Sequence, residues 1–169
     1  MLPLLEMDRR GFLRVISVSE HISLKQSARF ISRLGDGYLY IALAIAIWWL
    51  DLNQGESFLL AGVMAFSIEL PLFLFLKNTI RRPRPKESIV GFVPRHRPSD
   101  EFSFPSGHTA AAFVFATLVA GFYPEFMFPV FLIAGLIGAS RVVLGVHYPS
   151  DIAAGIVLGC GSAMTVLLA

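Results

Sequence analysis

The chain has 169 residues, is 55% hydrophobic but only 15% charged, and has a mean hydropathy of +0.67. Soluble domains run nearer about 25% charged, so this composition excludes an ordinary soluble fold and points to an integral membrane protein, with length for one domain. The net charge is only +2, and the single cysteine, Cys160, excludes an intrachain disulfide and reads as a small buried hydrophobe.

The N-terminus does not read as a signal peptide, because no sustained apolar run follows its basic residues. Residues 9–34 mix basic side chains with Phe12, Val15, Ile16, Ile22, Phe30, Ile31 and Leu34. No stretch there is apolar enough to span a bilayer, which takes about 20 residues, so an amphipathic helix in the interface is predicted. Gly35-Asp36-Gly37 ends it. Residues 37–50 carry no charge and finish in Trp48-Trp49, an interfacial anchor, which predicts a first span over 36–52. A second covers 57–76, interrupted by Glu69 and Pro71. Residues 77–104 form a basic, proline-rich loop. No Asp, Glu, Lys or Arg occurs from Phe102 to Pro124, predicting a third span over 106–122. A fourth follows over 127–145, and a fifth starts near Asp151 and runs uncharged to Ala169. There is no internal repeat and no low-complexity segment. The expected fold is an all-α integral membrane bundle of about five transmembrane helices, preceded by an amphipathic interfacial N-terminal helix within residues 1–35.

All fourteen Lys and Arg fall in three places: six in residues 9–33, seven in residues 77–97, and Arg141. Three polar segments stand out against the apolar spans: Lys77 to Pro85, Pro105 to His108, and Ser140 to Asp151. Ionisable groups at membrane depth are costly and mark function by default. With five spans, the first segment follows span two, the second opens span three and the third joins spans four and five. Parity puts all three on one face, together with the N-terminal segment.

In the first segment, Lys77 and Arg84 can neutralise a phosphate dianion, with the arginine offering a planar fork of donors. Taken alone, Lys and Arg beside a span are equally a positive-inside anchor, the reading given to Arg81, Arg82 and Lys86. In the second, Ser106 and Gly107 open a helix whose free N–H groups suit an anion, and His108 can exchange a proton near neutrality. The plain alternative is a serine N-cap beside an incidental histidine. In the third, Arg141 is a further phosphate clamp, and His147 and Asp151 stand four apart. A carboxylate on one imidazole nitrogen makes the other a better nucleophile. The alternative is a polar turn in which Asp151 is the N-cap of span five. Anchoring and capping together still leave two histidines unexplained beside three separately supplied cations.

These residues resemble the three-part signature of the type 2 phosphatidic acid phosphatase superfamily, which includes membrane lipid phosphatases and soluble vanadium haloperoxidases. Lys-x6-Arg-Pro matches Lys77, Arg84 and Pro85; Pro-Ser-Gly-His matches Pro105 to His108; Ser-Arg-x5-His-x3-Asp matches Ser140, Arg141, His147 and Asp151. The resemblance covers residues 35–169. It implies a single phosphatase domain over 1–169, with 77–104 as its active-site loop, needing no metal or other cofactor. On that reading His147 attacks phosphorus, Asp151 orients it, and His108 protonates the leaving oxygen and then activates water. Lys77, Arg84, Ser106, Gly107 and Arg141 hold the phosphate oxygens.

The expected substrate is a lipid phosphate or diphosphate. The size and short N-terminal segment resemble bacterial undecaprenyl-diphosphate phosphatases, which puts an isoprenyl diphosphate first and phosphatidylglycerophosphate or phosphatidate second. A haloperoxidase is disfavoured by the five spans, and a lipid-phosphate binding or transport protein by the intact histidines. Membrane lipids are the expected surroundings; no nucleic acid and no obligate protein partner are inferred. Glu69 pairs with a site cation, snorkels or stays neutral, His96 is a solvated loop residue, and loop 86–104 gates headgroup entry. The location expected is the bacterial inner membrane. Sidedness pulls two ways: the positive-inside rule puts the cation-rich face in the cytoplasm, whereas the resemblance favours the periplasmic face, and the periplasmic face is the one expected.

Overall fold

The computed structural model describes residues 2–19, 21–96 and 100–169, and every regular element among them is helical. In chain order these are α1 (Leu2–Val18), α2 (Ile22–Arg33), α3 (Gly37–Leu50), α4 (Gly55–Ile80), the short α5 (Pro85–Ser88), α6 (Gly107–Phe122), α7 (Met127–Val143) and α8 (Pro149–Leu167), with a 3-10 turn at Pro124–Phe126. Five apolar helices, α3, α4, α6, α7 and α8, lie where spans are predicted. Among the described residues, three helices are long and apolar enough to cross a membrane, those containing α4, α7 and α8; α2 and α3, bent by 53°, count as a fourth if taken as one broken span. α6 has 16 residues, about 24 Å at 1.5 Å per residue, which is shorter than the roughly 30 Å hydrocarbon core. It is the most enclosed helix, packed by α3, α4, α7 and α8.

The outward faces are apolar: Ile41, Leu60, Met64, Phe75, Phe128 and Val157 are all exposed. Such surface in a chain of this hydropathy faces lipid. Inside, small residues let backbones approach, as in membrane helix packing. A Cβ on Gly155 would stand 2.8 Å from Ser106 O, and one on Gly159 only 2.3 Å from Ala110 O. These two glycines let α8 lie against α6, which matters because α6 and α8 start at the site.

The predicted single N-terminal helix is two helices. Ser19 closes α1 with backbone bonds to Val15 and Ile16, and Arg95 takes up the end: Nη2 donates to Ile16 O at 3.2 Å and Nη1 to Ser19 Oγ at 2.7 Å. A cation on the last carbonyls stabilises a helix C-terminus. α1 also packs on protein: fully buried Phe12 meets Phe92 and Tyr148 edge-on, both at 5.3 Å between ring centroids. The predicted interruption of the second span is absent, since α4 runs through Glu69 and Pro71. A proline removes one ladder donor, and packed membrane helices tolerate that loss.

Candidate active site

α4 ends on Arg81, a non-glycine residue in the left-handed region (φ 48°), its N–H donating to Lys77 O and its Nε to Asn78 O at 2.8 Å. The turn redirects the chain so that Lys77, on the last turn, and Arg84, just beyond it, converge. Lys77 is buried, with Nζ 4.6 Å over the Phe73 ring. Arg84 is almost fully buried; Nη1 donates to Val146 O at 2.5 Å and Nε to Asp100 O at 3.0 Å. Both cations also pair with the Asp100 carboxylate. Burial pushes that carboxyl up, but the Lys77 bond and the Arg84 charge outweigh it and hold Asp100 below its usual range.

The second segment opens α6. Ser106 is its fully buried N-cap; its N–H donates to Asp151 O at 3.0 Å, and its Oγ accepts from Thr109 Oγ1 at 2.9 Å. That pattern leaves the Ser106 hydroxyl hydrogen available. A Cβ on Gly107 would meet the Phe73 ring at 3.0 Å. His108 follows, with Nε2 3.2 Å from Asp36 Oδ1.

The third segment leaves α7. Arg141 is buried, donates from Nη1 to Ser32 Oγ at 2.5 Å, and keeps a buried Nε with no partner among the described residues. An unpaired buried donor of that kind is costly unless an anion or water meets it. His147 is buried, its Nδ1 3.6 Å from Asp151 Oδ2. That is ion-pair range, longer than a hydrogen bond. Burial pushes the imidazole down to about 4, the Arg84 and Arg141 charges adding to it and the Asp151 carboxylate opposing. The ring is therefore neutral at pH 7, as a nucleophile requires.

Asp151 is not the N-cap of α8. Tyr148 takes that place, and Asp151 is the third residue of the helix, its Oδ2 accepting from the Tyr148 N–H at 2.8 Å. Its other oxygen accepts from Arg82 Nη1 at 2.8 Å. Arg82, read from sequence as an anchor, also bonds Ser150 Oγ at 2.6 Å and Asp8 Oδ2 at 2.5 Å and stacks 4.1 Å over the Tyr148 ring. The reason is local: the left-handed turn at Arg81 sends Arg82 inward, toward α8.

This buried cluster lies in a stretch with known relatives. A family model described as PAP2 superfamily matches residues 56–169. The chain belongs to the PAP2 superfamily. A decaprenylphosphoryl-5-phosphoribose phosphatase of Mycobacterium tuberculosis is 36% identical over 138 residues, covering 79% of this chain and 73% of the relative. An undecaprenyl-diphosphatase of Sulfolobus acidocaldarius is 27% identical over 148 residues, covering 86% and 70%. The crystal structure of a transmembrane PAP2 type phosphatidylglycerolphosphate phosphatase from Bacillus subtilis superposes with a TM-score of 0.79 at 26% identity, covering 98% of this chain and 85% of that one. The protein is thus a lipid phosphatase and an integral membrane protein.

In this PAP2 phosphatase the predicted site residues Lys77, Arg84, Ser106, Gly107, His108, Arg141, His147 and Asp151 all lie within residues 56–169. Two clefts adjoin His108. One, about 480 Å³, is lined by Tyr38, Phe66, Glu69, Leu70, Phe73 and His108. Glu69 is buried there with no ion pair among the described residues, so it does not partner a site cation. The other, about 250 Å³, is polar and lined by Arg29, Ser32, Arg33, Asp36, His96, His108 and Arg141. His96 is exposed, as expected, but it faces this cavity. Of loop 86–104, residues 97–99 lie outside the described residues. The sequence reading missed Asp8, Ser32, Asp36 and Asp100, and for Arg82 the only signal was its place inside the first polar segment.

Proposed function

We propose that the protein hydrolyses an isoprenyl diphosphate, undecaprenyl diphosphate in the first instance, through a metal-independent phosphohistidine intermediate, as a single domain over residues 1–169. The observation that carries this reading is the convergence of three separated polar segments on one buried cluster, with two histidines, each facing a carboxylate, among Lys77, Arg84 and Arg141. The attacking nitrogen is Nε2 of neutral His147, since Nδ1 faces Asp151. The leaving oxygen takes its proton from His108, and the same imidazole then deprotonates water. Equatorial oxygens fall to Lys77, Arg84, the free donor of Arg141, the Ser106 hydroxyl and the Gly107 N–H at the start of α6. Phosphoryl transfer is largely positioning and charge stabilisation, and this cluster supplies both.

The diphosphate preference is supported by the polar cavity beside His108, where Arg29 and Arg33 offer further positive charge on the leaving-group side. The relatives' names support an isoprenyl tail, decaprenyl in one and undecaprenyl in the other, and the second names a diphosphate. Phosphatidylglycerophosphate or phosphatidate is the second reading, favoured by the likeness to the Bacillus subtilis enzyme. We place the protein in the bacterial inner membrane with the site on its periplasmic face. Arg29 and Arg33 belong to the basic N-terminal group that argues for a cytoplasmic face, yet they line the site cavity, which weakens that positive-inside argument.

Phosphate release from isoprenyl diphosphate, phosphatidate and phosphatidylglycerophosphate by the purified protein tests the reading, with the diphosphate expected to be fastest. His147→Ala should abolish turnover and leave the fold intact, and EDTA should leave turnover unchanged. Release from none of the lipids would turn the reading to a binding or transport protein.

A further inference from the structure

Asp36 reads in the sequence as part of a helix-breaking step, and it lies outside residues 56–169, where the family model matches. In the structure it touches His108, Asp36 Oδ1 to His108 Nε2 at 3.2 Å, with both side chains about a third exposed at the edge of the polar cavity. The elbow between α2 and α3 is shaped to bring it there. Gly35, in the bend, has no room for a side chain: a Cβ would stand 2.7 Å from Ile137 Cγ2 and 3.2 Å from His108 Cδ2. One turn earlier, Ser32 accepts a bond from Arg141. Two independent contacts therefore fasten one elbow to two residues of the site.

We propose that Asp36 is the positioning residue for His108, forming a second carboxylate–histidine pair beside His147 and Asp151; the proposal rests on the lipid phosphatase reading with His108 as proton donor. Accepting from Nε2–H, Asp36 fixes one proton there, leaves Nδ1 as the exchanging nitrogen, and favours the imidazolium. In the first step the bond from His147 to phosphorus forms while the bond from phosphorus to the leaving oxygen breaks. Its electron pair goes to that oxygen, which takes the Nδ1 proton. In the second step Nδ1 regains a proton from water as the water oxygen bonds phosphorus and the electron pair of the N–P bond returns to His147. Other titratable or charged groups around His108 are Arg141 from α7, His147 from the α7–α8 turn, Glu69 from α4, and Arg29, Arg33 and His96 around the cavity. Among the described residues Asp36 is the one hydrogen-bonded to the ring.

The test compares two leaving groups with the full-length protein in detergent. Phosphatidate, a lipid phosphomonoester, expels an alkoxide and needs the proton; p-nitrophenyl phosphate expels a stable phenolate and does not. Asp36→Asn should lower kcat/KM, which reports the steps up to the phosphohistidine and not its hydrolysis, on the first by about 10²-fold and on the second by no more than about threefold. The alkaline limb of kcat/KM for phosphatidate should move to lower pH, because without the carboxylate the imidazolium is lost sooner. Asp36→Glu should recover part of the lost rate. In a His108→Asn background, Asp36→Asn should cost nothing further. Equal losses on both substrates, an unshifted alkaline limb, or additive losses in the double variant would overturn the proposal. No phosphate release by the wild type, or full activity in His147→Ala, would instead overturn the reading beneath it.

Discussion

Arg82 bonds carboxylates from two distant parts of the chain, Asp8 and Asp151, and lies flat on the Tyr148 ring. Its side-chain bonds run to Asp8, Ser150 and Asp151, and Asp151 is the one that faces His147, so we expect its effect to pass through Asp151. Arg82→Ala leaves a fully buried carboxylate with the Tyr148 N–H and the facing His147 ring as its partners among the described residues. We expect kcat to fall by about 10–100-fold, as when outer partners of a working ligand are removed, with KM little changed. The sign of the pH effect follows from His147, held down to about 4 by burial and by Arg84 and Arg141 against the pull of Asp151. With Arg82 gone, Asp151 is less neutralised and pulls harder. The acid limb of kcat/KM should then move to higher pH, and an unmoved limb would mean that Arg82 does not act through Asp151. The sequence could not assign Arg82, because arginines beside a span have a cheaper explanation as anchors and the partners are 69 and 74 residues away.

Among the elements, the α6–α8 contact has the least tolerance. Gly155 and Gly159 set its spacing, and with it the distance from the Ser106 end of α6 to the Asp151 end of α8. Gly159→Val would force Cβ against the Ala110 carbonyl, which a membrane helix cannot move without breaking its ladder. Overpacking of this kind costs about 1–3 kcal/mol, and thermal unfolding in detergent should show it. Gly161→Ala, with nothing within 4 Å of its Cβ, is the control and should be neutral. Uncharged apolar runs make α3, α4, α6, α7 and α8 legible in the sequence alone. The break between α1 and α2 is not legible there, since no glycine or proline marks it and the arginine that caps α1 lies 76 residues downstream of Ser19. Pro71 misleads in the opposite direction, because the packed helix absorbs what the local rule forbids.

Taken as a whole molecule, the protein draws its site from both ends of the chain. The eight motif residues could be read from spacing, since each motif is short and keeps its own order. Asp8, Ser32, Asp36 and Asp100 could not, because a lone carboxylate or hydroxyl carries no local pattern and gains meaning only from what folds against it. The proposed placement makes a topology prediction: if the chain crosses five times, as the sequence leads us to expect, and the candidate site faces the periplasm, the C-terminus after α8 lies in the cytoplasm. A C-terminal fluorescent reporter should therefore light up, and a C-terminal alkaline phosphatase fusion should be silent. The reverse pattern would put the site in the cytoplasm.

Lys77 and Arg84 are already matched by the Asp100 carboxylate, so any anion approaching them has to displace it. A phosphodiester headgroup, the common currency of a bilayer, carries one charge like the carboxylate and gains little by the exchange. A terminal phosphate carries about −1.5 to −2 at pH 7 and gains a good deal. If Lys77 and Arg84 hold the substrate phosphate as proposed, Asp100 sets a threshold on charge, which the surrounding lipid solvent does not reach and a lipid ending in a free phosphate does.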